Sequence, residues 1–254
     1  VLSDRLKWLQ RVGCLRRDAG TGRYHLTAKS LDLHATAMMA IDWERRHYRT
    51  PFLDDVALVH TDCGQPFTPA IACRSCGEKP SGRDVRYLPG PGATRDRRSK
   101  KVRRRSTLPA QAVPSPRSVY RNLVDIVGDR WTANVIALAF HGHARFDAFH
   151  RELPVATNIL SERLRFLEQH GILAARVYQQ RPQRQEYRLT HKGRDLFPFF
   201  LTLLHWGDVW CDPHGHGPPM LLEHTRCGQA LVGEVRCDQC AGALAPFAVS
   251  VRLP

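Results

Sequence analysis

The sequence predicts a mainly α-helical fold with small β-sheets, in the α+β class, built from one structural unit that occurs nearly twice. Three observations predict this fold. Apolar residues recur at helical spacing through four segments between residues 119 and 167. The period then changes to that of two short strands, and a last helical stripe follows at 196–210. Much of this pattern returns, in the same order, near the N-terminus.

The first four helices of the complete unit are each followed by residues that end a helix. Their predicted ranges are 119–127, 131–139, 146–153 and 160–167. The residues that end them are Gly128, Gly142, Pro154 and Gly171. Because only a short segment across Pro154 joins the third helix to the fourth, these two helices are predicted to form a helix-turn-helix.

A β-hairpin and a closing helix complete the unit. Strands are predicted at 172–180 and 185–190, on either side of the polar tip Arg-Pro-Gln-Arg at 181–184. The closing helix at 196–210 carries several aromatic residues on its apolar face. Helices, a hairpin wing and a closing helix in this order predict a winged helix-turn-helix domain.

A repeat is visible as matching residues at a nearly constant offset. Residues 1–9 match 159–167 at an offset of 158, residues 24–29 match 187–192 at 163, and residues 60–76 match 224–240 at 164. The offset changes only where loops are expected, which favours a tandem duplication. The first copy has no counterpart of residues 118–158 and begins with Val, so we expect a fragment or a start site assigned too late.

These features divide the chain into five predicted segments. They are a truncated winged-helix copy at 1–50, a zinc-ribbon-like tail at 51–78, a linker at 79–117, a complete winged helix-turn-helix domain at 118–211 and a second zinc-ribbon-like tail at 212–254. The linker is basic and rich in Pro and Gly, and it has no apolar periodicity. We therefore expect it to be flexible and disordered.

The net charge of +14 favours an anionic partner, with double-stranded DNA ahead of a membrane surface. The linker at 79–117 contains twelve Lys or Arg and two Asp, so most of the excess positive charge lies there. A solvated linker and a linker that grips phosphate groups both fit this distribution. No segment has the length and apolar character of a membrane span, and none resembles a signal peptide, so a cytoplasmic, nucleoid-associated protein is expected.

Three motifs carry a resemblance to a known family. They are VDIVGDRWT at 124–132, NILSERL at 158–164 and EYRLTHKG at 186–193. In this order they closely resemble the HxlR-type regulators, which are related to the MarR group. The resemblance implies a DNA-binding repressor or activator, usually a homodimer, and not an enzyme. Many members have a redox-active cysteine where this sequence has Ser118, so thiol sensing at that position is not expected.

The fourth helix, at about 157–170, is predicted to read DNA. Its leucines face the core, which leaves a polar face on the opposite side. The residues of that face, whose side chains can bond base edges or phosphates, are Thr157, Asn158, Ser161 and Arg165. The alternatives are that Thr157 only caps the helix and that Arg165 is a solvated charge. Arg163 lies between the two faces and is a candidate for a structural ion pair.

The wing, at about 180–185, is predicted to add contacts through Arg181 and Arg184, with Pro182 stiffening the loop over the minor groove or the backbone. An ordinary polar hairpin tip is the alternative. In the first copy the corresponding shorter loop offers further arginines, namely Arg16, Arg17 and Arg23.

Six of the eight cysteines fall into two clusters with the spacing His-x2-Cys-x9-Cys-x2-Cys, which predicts metal sites. The first cluster comprises His60, Cys63, Cys73 and Cys76, and the second comprises His224, Cys227, Cys237 and Cys240. Three thiolates and one imidazole suit a closed, structural Zn²⁺ site, so up to two ions are expected, one in each cluster. Of the other two cysteines, Cys14 occupies the position of Ile172 and is predicted to lie in the core, whereas Cys211 has no evident partner.

Two alternatives stay open from the sequence. Reversible disulfides within the two Cys-x2-Cys pairs would make the chain a zinc- or thiol-dependent sensor, or a thiol-disulfide protein, although no thioredoxin-like βαβ pattern surrounds either pair.

The assembly is either a homodimer or an intrachain pseudo-dimer. The closing helix, with Trp206 and Trp210, serves either as the dimer surface or as part of its own domain's core.

Overall fold

The structure, a computed structural model, describes residues 2–49, 51–93, 119–181, 183–212 and 214–252. Ser118, Pro182 and the most basic part of the predicted linker lie outside the described residues.

The first half of the chain begins with a helix, a hairpin, a short helix and a long helix. Its helices are α1 (Leu2–Arg11), α2 (Ala28–Leu31), α3 (His34–His47) and α4 (Pro51–Asp55). Its strands are β1 (Leu15–Arg17), β2 (Tyr24–Leu26), β3 (Ala57–His60), β4 (Pro69–Cys73) and β5 (Val85–Pro89). The hairpin is the antiparallel pair β1–β2.

The second half repeats this order after three additional helices. Its helices are α5 (Arg121–Val127), α6 (Arg130–Phe140), α7 (Phe146–Glu152), α8 (Thr157–Gln169), α9 (His191–Arg194) and α10 (Phe197–Trp210). Its strands are β6 (Leu173–Gln180), β7 (Gln183–Leu189), β8 (Met220–His224), β9 (Gln229–Ala230), β10 (Gly233–Cys237) and β11 (Val249–Arg252). The predicted mixture of many helices with small sheets is confirmed.

The core of the second half is built from the apolar stripes that predicted its helices. Its almost fully buried members are Leu123, Ile126, Val135, Ile136, Phe149, Leu160, Leu164 and Leu167. Each such side chain contributes roughly 1.5–3 kcal/mol relative to an exposed position. Trp131 is 9% exposed and belongs to the core, and Asp129 begins α6 by accepting hydrogen bonds from the backbone N–H groups of Trp131 and Thr132.

Helices α3 and α10, one from each half, pack against each other in the middle of the molecule. The indole of Trp43 on α3 donates a hydrogen bond to the carbonyl of Lys192, at 3.0 Å. The indole of Trp206 on α10 donates to the carbonyl of Lys29, at 2.7 Å. Trp43 matches Trp206, and Lys29 matches Lys192, at the same offset of 163. The two contacts are therefore reciprocal, as in a symmetric dimer interface, and α10 contacts the first half of the chain.

The two cysteine-containing tails are also joined to each other. Strand β4 pairs with β10, β3 pairs with β11, and β5 pairs with β8, all antiparallel. In the β4–β10 ladder Ile71 lies opposite Val235, which is its equivalent at the offset of 164. An approximate twofold axis therefore passes between Ile71 and Val235. Each tail was expected to form its own ribbon, but the long ladders of the described residues run between the tails.

Part of the segment predicted to be a disordered linker is ordered, because residues 85–89 form β5. Val85 and Tyr87 alternate with polar residues on this strand, and Tyr87 stacks on His141 with ring centroids 4.1 Å apart. Burial raises the pKa of Tyr87 to about 12. The alternation was too short to stand out among the neighbouring Pro and Gly residues.

Helix α5 is also attached to the first half. Glu44 of α3 accepts hydrogen bonds from the backbone N–H groups of Asn122 and Leu123, at 3.1 and 3.0 Å. A carboxylate at the N-terminus of a helix satisfies free N–H groups and is favoured by the helix dipole. Within the described ranges, no helix has the length and apolar character needed to cross a bilayer.

Candidate nucleic-acid interface and metal centres

Helix α8 is fixed to the core by its leucines and by one buried ion pair. Arg163 is 1% exposed, and its Nε lies 2.9 Å from Oδ1 of Asp129, the residue that caps α6. A second carboxylate, that of Glu162, lies 3.2 Å from the Arg163 guanidinium. Arg163 therefore holds α8 against α6, which is the structural role considered for it from the sequence.

The opposite face of α8 is polar and open to solvent. Its exposed members are Thr157, Asn158, Ser161 and Arg165, all predicted from helical spacing. Ser161 is exposed and donates its hydroxyl hydrogen to the carbonyl of Thr157, at 2.8 Å. One alternative was that Thr157 only caps the helix. It does not, because the N-cap is Ala156, which supplies no side-chain hydrogen bond.

The wing is the antiparallel pair β6–β7, which carries an irregularity between Val177 and Gln179. Arg181 and Arg184 are exposed at its tip, where the Gln179 side-chain amide donates to the Arg181 carbonyl at 3.0 Å. The expected stiffening of the loop by Pro182 falls outside the described residues.

One cationic group beside the wing was missed from the sequence. Arg145 is exposed at the N-cap of α7, with its guanidinium carbon 4.5 Å from the ring centroid of Tyr178 on β6. Arg145 also forms an isolated bridge to Glu186 of β7, so it lies where the helix-turn-helix meets the wing. No local pattern signals this contact, because it depends on how the hairpin folds back.

The counterpart of α8 in the first half, α1, lacks the packing that α8 has. Leu2 is 74% exposed, whereas its equivalent Leu160 is 1% exposed. No described residue of α1 is buried, and among the described residues no counterpart of α5, α6 or α7 lies beside it. The loop arginines predicted for this half, Arg16, Arg17 and Arg23, are exposed. Cys14 is buried, as predicted from its match to Ile172.

Two groups of four side chains have the composition expected of metal sites. The first group is His60, Cys63, Cys237 and Cys240, and the second is Cys73, Cys76, His224 and Cys227. In each group the four ligand atoms lie within 4.8 Å of one another. All eight predicted ligands are therefore used, but the predicted grouping is wrong. Each group takes a His-x2-Cys pair from one half and a Cys-x2-Cys pair from the other.

The distances within the groups fit a tetrahedral metal ion. In the first, Nδ1 of His60 lies 3.5 Å from Sγ of Cys63 and 3.2 Å from Sγ of Cys240, and the sulfurs of Cys63 and Cys237 are 4.0 Å apart. In a tetrahedral Zn²⁺ site sulfur and nitrogen lie about 3.6 Å apart, and two sulfurs about 3.8 Å apart. These three distances lie within about 0.4 Å of the tetrahedral values.

The second group has the same geometry. Nδ1 of His224 lies 3.4 Å from the sulfurs of both Cys76 and Cys227. His60 and His224 are almost completely buried, at 1% and 0% exposure. An imidazole whose Nδ1 faces the sulfurs of two cysteines is placed to give that nitrogen to a cation.

One thiol of the first group is placed to ionise. A hydrogen bond from the backbone at Gln65 lowers the pKa of the Cys63 thiol. The thiolate is the form of cysteine that binds a metal. The imidazole Nε2 of His60 lies 3.5 Å from a carboxylate oxygen of Asp62, a position typical of the groups that orient a metal-binding histidine.

Four further histidines and Cys211 lie outside these two groups. His141, His143, His214 and His216 belong to neither of the candidate metal groups found among the described residues. Cys211 is exposed at the end of α10.

Comparisons with known proteins match the helix-turn-helix region. A family model described as HxlR-like helix-turn-helix matches residues 126–215. An uncharacterised HTH-type transcriptional regulator of Mycobacterium tuberculosis is 39% identical over 117 residues, which are 46% of this chain and 73% of that protein. YvaP of Bacillus subtilis, also an uncharacterised HTH-type transcriptional regulator, is 36% identical over 95 residues, which are 37% of this chain and 88% of that protein.

Among solved structures, the reduced form of the transcriptional regulator YodB from Bacillus subtilis matches 37% of this chain and 93% of its own, with 30% identity and a TM-score of 0.34. The curated relatives are transcriptional regulators, in agreement with the prediction of a regulator. The motifs at 124–132, 158–164 and 186–193 lie within the region matched by the family model or overlap it. The chain therefore belongs to the HxlR-like helix-turn-helix family of transcriptional regulators.

Proposed function

We propose that this chain regulates transcription by binding duplex DNA sequence-specifically through α8 and the wing. The observation that carries the proposal is the division of α8 into two faces. Leu160, Leu164 and Leu167 are buried, while a continuous polar face lies open to solvent. The recognition helix of a helix-turn-helix enters the major groove with its N-terminal residues against the base edges.

The chemistry of the exposed face fits base and phosphate recognition. The amide of Asn158 can pair with adenine through two hydrogen bonds, and the guanidinium of Arg165 can pair with guanine or a phosphate. Because Ala156 supplies no cap, the first N–H groups of α8 are available to a phosphate oxygen. Arg181 and Arg184 extend the same role to the wing, where the minor groove or the backbone would lie.

A competition gel-shift experiment tests this assignment. The DNA is a duplex selected from a random library by the intact chain, and random duplex is the competitor. Replacing Asn158 and Arg165 together with Ala is expected to reduce discrimination between the two DNAs at least tenfold, since one good base contact contributes about 1–3 kcal/mol. The control is Gln169→Ala, an exposed position at the far end of α8. Full discrimination by the double variant would refute the assignment.

We further propose that the two halves are copies of one ancestral unit that form a pseudo-dimer within one chain. Two observations support this arrangement over a homodimer formed through α10. The contacts of Trp43 and Trp206 are reciprocal, and Ile71 lies opposite its own equivalent, Val235. Light scattering checks it, because the mass of a single chain is expected. A stable two-chain species would favour the homodimer.

The two histidine–cysteine groups are proposed to hold structural Zn²⁺, up to two ions per chain. Three thiolates and one imidazole fill a tetrahedron and leave no open position for a substrate. The ion would stabilise the fold, while the protein orients the four donors. Metal analysis is expected to find two tightly held ions and no thiols of these groups that react in the native state.

The runner-up function is a sensor in which the same thiols respond to oxidation. The proximity of six cysteines in two groups favours it as the second candidate. Reversible oxidation that changes DNA affinity, together with less than one ion per chain, would support the sensor and contradict the structural Zn²⁺ sites.

A further inference from the structure

We infer that each metal centre joins the two halves of the chain, so that two Zn²⁺ ions act as clasps across the approximate twofold axis. The inference rests on the proposed Zn²⁺ sites. It adds which ligands share an ion and what each ion holds together.

The first clasp takes two ligands from each half. His60 is the last residue of β3, and Cys63 follows in the next turn, where Gly64 N donates to the carbonyl of His60 at 2.8 Å. Cys237 is the last residue of β10, and Cys240 follows three residues later. The sulfur of Cys240 lies 3.2 Å from Nδ1 of His60, although 180 residues separate them.

The second clasp exchanges the roles of the halves. Its imidazole comes from His224 at the end of β8, and its Cys-x2-Cys pair follows β4. The sulfur of Cys76 lies 3.4 Å from Nδ1 of His224, across 148 residues. Every ligand of one clasp therefore has its equivalent, at an offset of 164, in the other clasp.

The strand register explains why the pairs cross. In the antiparallel β4–β10 ladder, Cys73 lies opposite Gly233 and Cys237 lies opposite Pro69. The two Cys-x2-Cys turns are thus placed at opposite ends of the ladder. His60 is paired with Val249 of β11, and His224 with Val85 of β5, so each imidazole also lies beside a strand of the other half.

The clasps act where the halves meet. Helix α3 packs against β4 and β10, and α10 packs against β10, so the clasped strands lie against the helices that form the interface. Three thiolates held within 4.8 Å of one another repel unless a cation or protons neutralise them. Binding of Zn²⁺ and closure of the two halves are therefore a single coupled event.

Paired serine variants of the full chain distinguish crossed from uncrossed clasps. Cys63→Ser with Cys240→Ser removes two ligands of one crossed centre, so one ion per chain is expected to resist a competing chromogenic chelator. Cys63→Ser with Cys73→Ser removes the same number of thiols, both from the first half, and damages both crossed centres. No ion is expected to resist the chelator in that variant, against two in the native chain.

The opposite result overturns the inference. If ligands were grouped within each half, the Cys63/Cys73 variant would keep one ion, and the Cys63/Cys240 variant would keep none. Circular dichroism of each variant in excess Zn²⁺ shows whether a loss of ions follows from a loss of fold.

A measurement on the unsubstituted chain keeps the inference testable even if the variants do not fold. With ¹¹³Cd in place of zinc, ¹H–¹¹³Cd correlation spectra connect each ion to the β-protons of its own cysteines. One ion is expected to couple to Cys63, Cys237 and Cys240, and the other to Cys73, Cys76 and Cys227. Couplings confined to one half would refute the clasps while leaving the Zn²⁺ sites intact. A chain that binds no metal would refute both, and neither result bears on DNA binding by α8.

Discussion

Ala241 has a φ of 57°, the left-handed conformation that side chains with a Cβ disfavour. It follows Cys240 in the turn of one candidate clasp, and its equivalent in the other turn is Gly77, with a φ of 78°. The two turns have the same backbone hydrogen bond, from residue 77 to the carbonyl of Cys73 and from residue 241 to that of Cys237, at 2.8 and 2.9 Å. The chain therefore contains its own comparison of Ala and Gly at one backbone conformation.

Ala241→Gly is expected to raise the free energy of unfolding by about 1 kcal/mol, and Gly77→Ala to lower it by about the same amount. A Cβ at Gly77 would meet no atom within 4 Å, so the change is conformational and not steric. Urea denaturation in saturating Zn²⁺ measures both effects. A less stable Ala241→Gly protein would show that the alanine side chain makes a favourable contact of its own.

Arg163 and Arg165 are the same residue type, two positions apart on α8, in opposite environments. Arg163→Ala is expected to lower the free energy of unfolding by about 3–5 kcal/mol, because it leaves Asp129 buried without its cation. Arg165→Ala is expected to change stability by less than about 0.5 kcal/mol, because the side chain is exposed.

The Arg163→Ala and Arg165→Ala variants should also differ in their affinity for DNA. Titration of the selected duplex at a temperature where both proteins are folded is expected to show weaker binding only for Arg165→Ala. If both arginines affected stability equally, the division of α8 into a core face and a solvent face would be wrong.

At the scale of elements, the wing is predicted to act through charge. If Arg181 and Arg184 each neutralise one phosphate, the slope of log K against log salt should decrease by about 0.9 for each arginine replaced by Ala. Discrimination between the selected and random duplexes should remain, since phosphate contacts carry no direct sequence information. An unchanged slope would identify the tip as an ordinary polar hairpin. Arg188 supplies a control cation, because it is exposed on β7 but is paired with Glu186 at 2.8 Å.

The elements differ in how well the sequence predicts them. The helices of the second half follow from apolar spacing and from local end signals such as Pro154, so α6 to α8 lie within three residues of their predicted ends. Strand β5 and the pairings of β3, β4 and β10 depend on contacts between the halves, which no local pattern records. The same reason explains the candidate metal sites: spacing identified all eight ligands, but two equally spaced clusters cannot reveal which pairs meet.

At the scale of the whole molecule, the two halves are joined by a matched pair of tryptophans. Trp43→Phe and Trp206→Phe each remove one hydrogen bond across the α3–α10 interface, which is expected to lower the free energy of unfolding by about 1 kcal/mol or more. The larger effect is expected for Trp43, which is 1% exposed, because the space that its indole leaves is less accessible to water. Lys192 also contacts the rings of Trp43 and Tyr48, so replacement by Phe retains part of that cation–π interaction.

Thermal unfolding of the two single variants and the double variant checks this expectation. If the losses of unfolding free energy in the single variants add up to the loss in the double variant, the two contacts act independently. If the loss in the double variant is much smaller than that sum, the two contacts break together when the halves separate. An unchanged melting temperature in all three would contradict the interface.

The pairing of Ile71 with Val235 has a consequence for how the sequence of such a chain can evolve. In an assembly of two identical subunits, every mutation is introduced twice, and it must suit both sides of the axis at once. Here the positions related by the axis belong to one gene and can differ, as Asp62 and Arg226 do, or Glu44 and Gly207. Glu44 is an example of such a difference, because its carboxylate holds α5, a helix that is described in the second half of the chain alone. A scaffold with approximate twofold symmetry can in this way carry two unlike surfaces, and an operator bound as proposed need not be a palindrome.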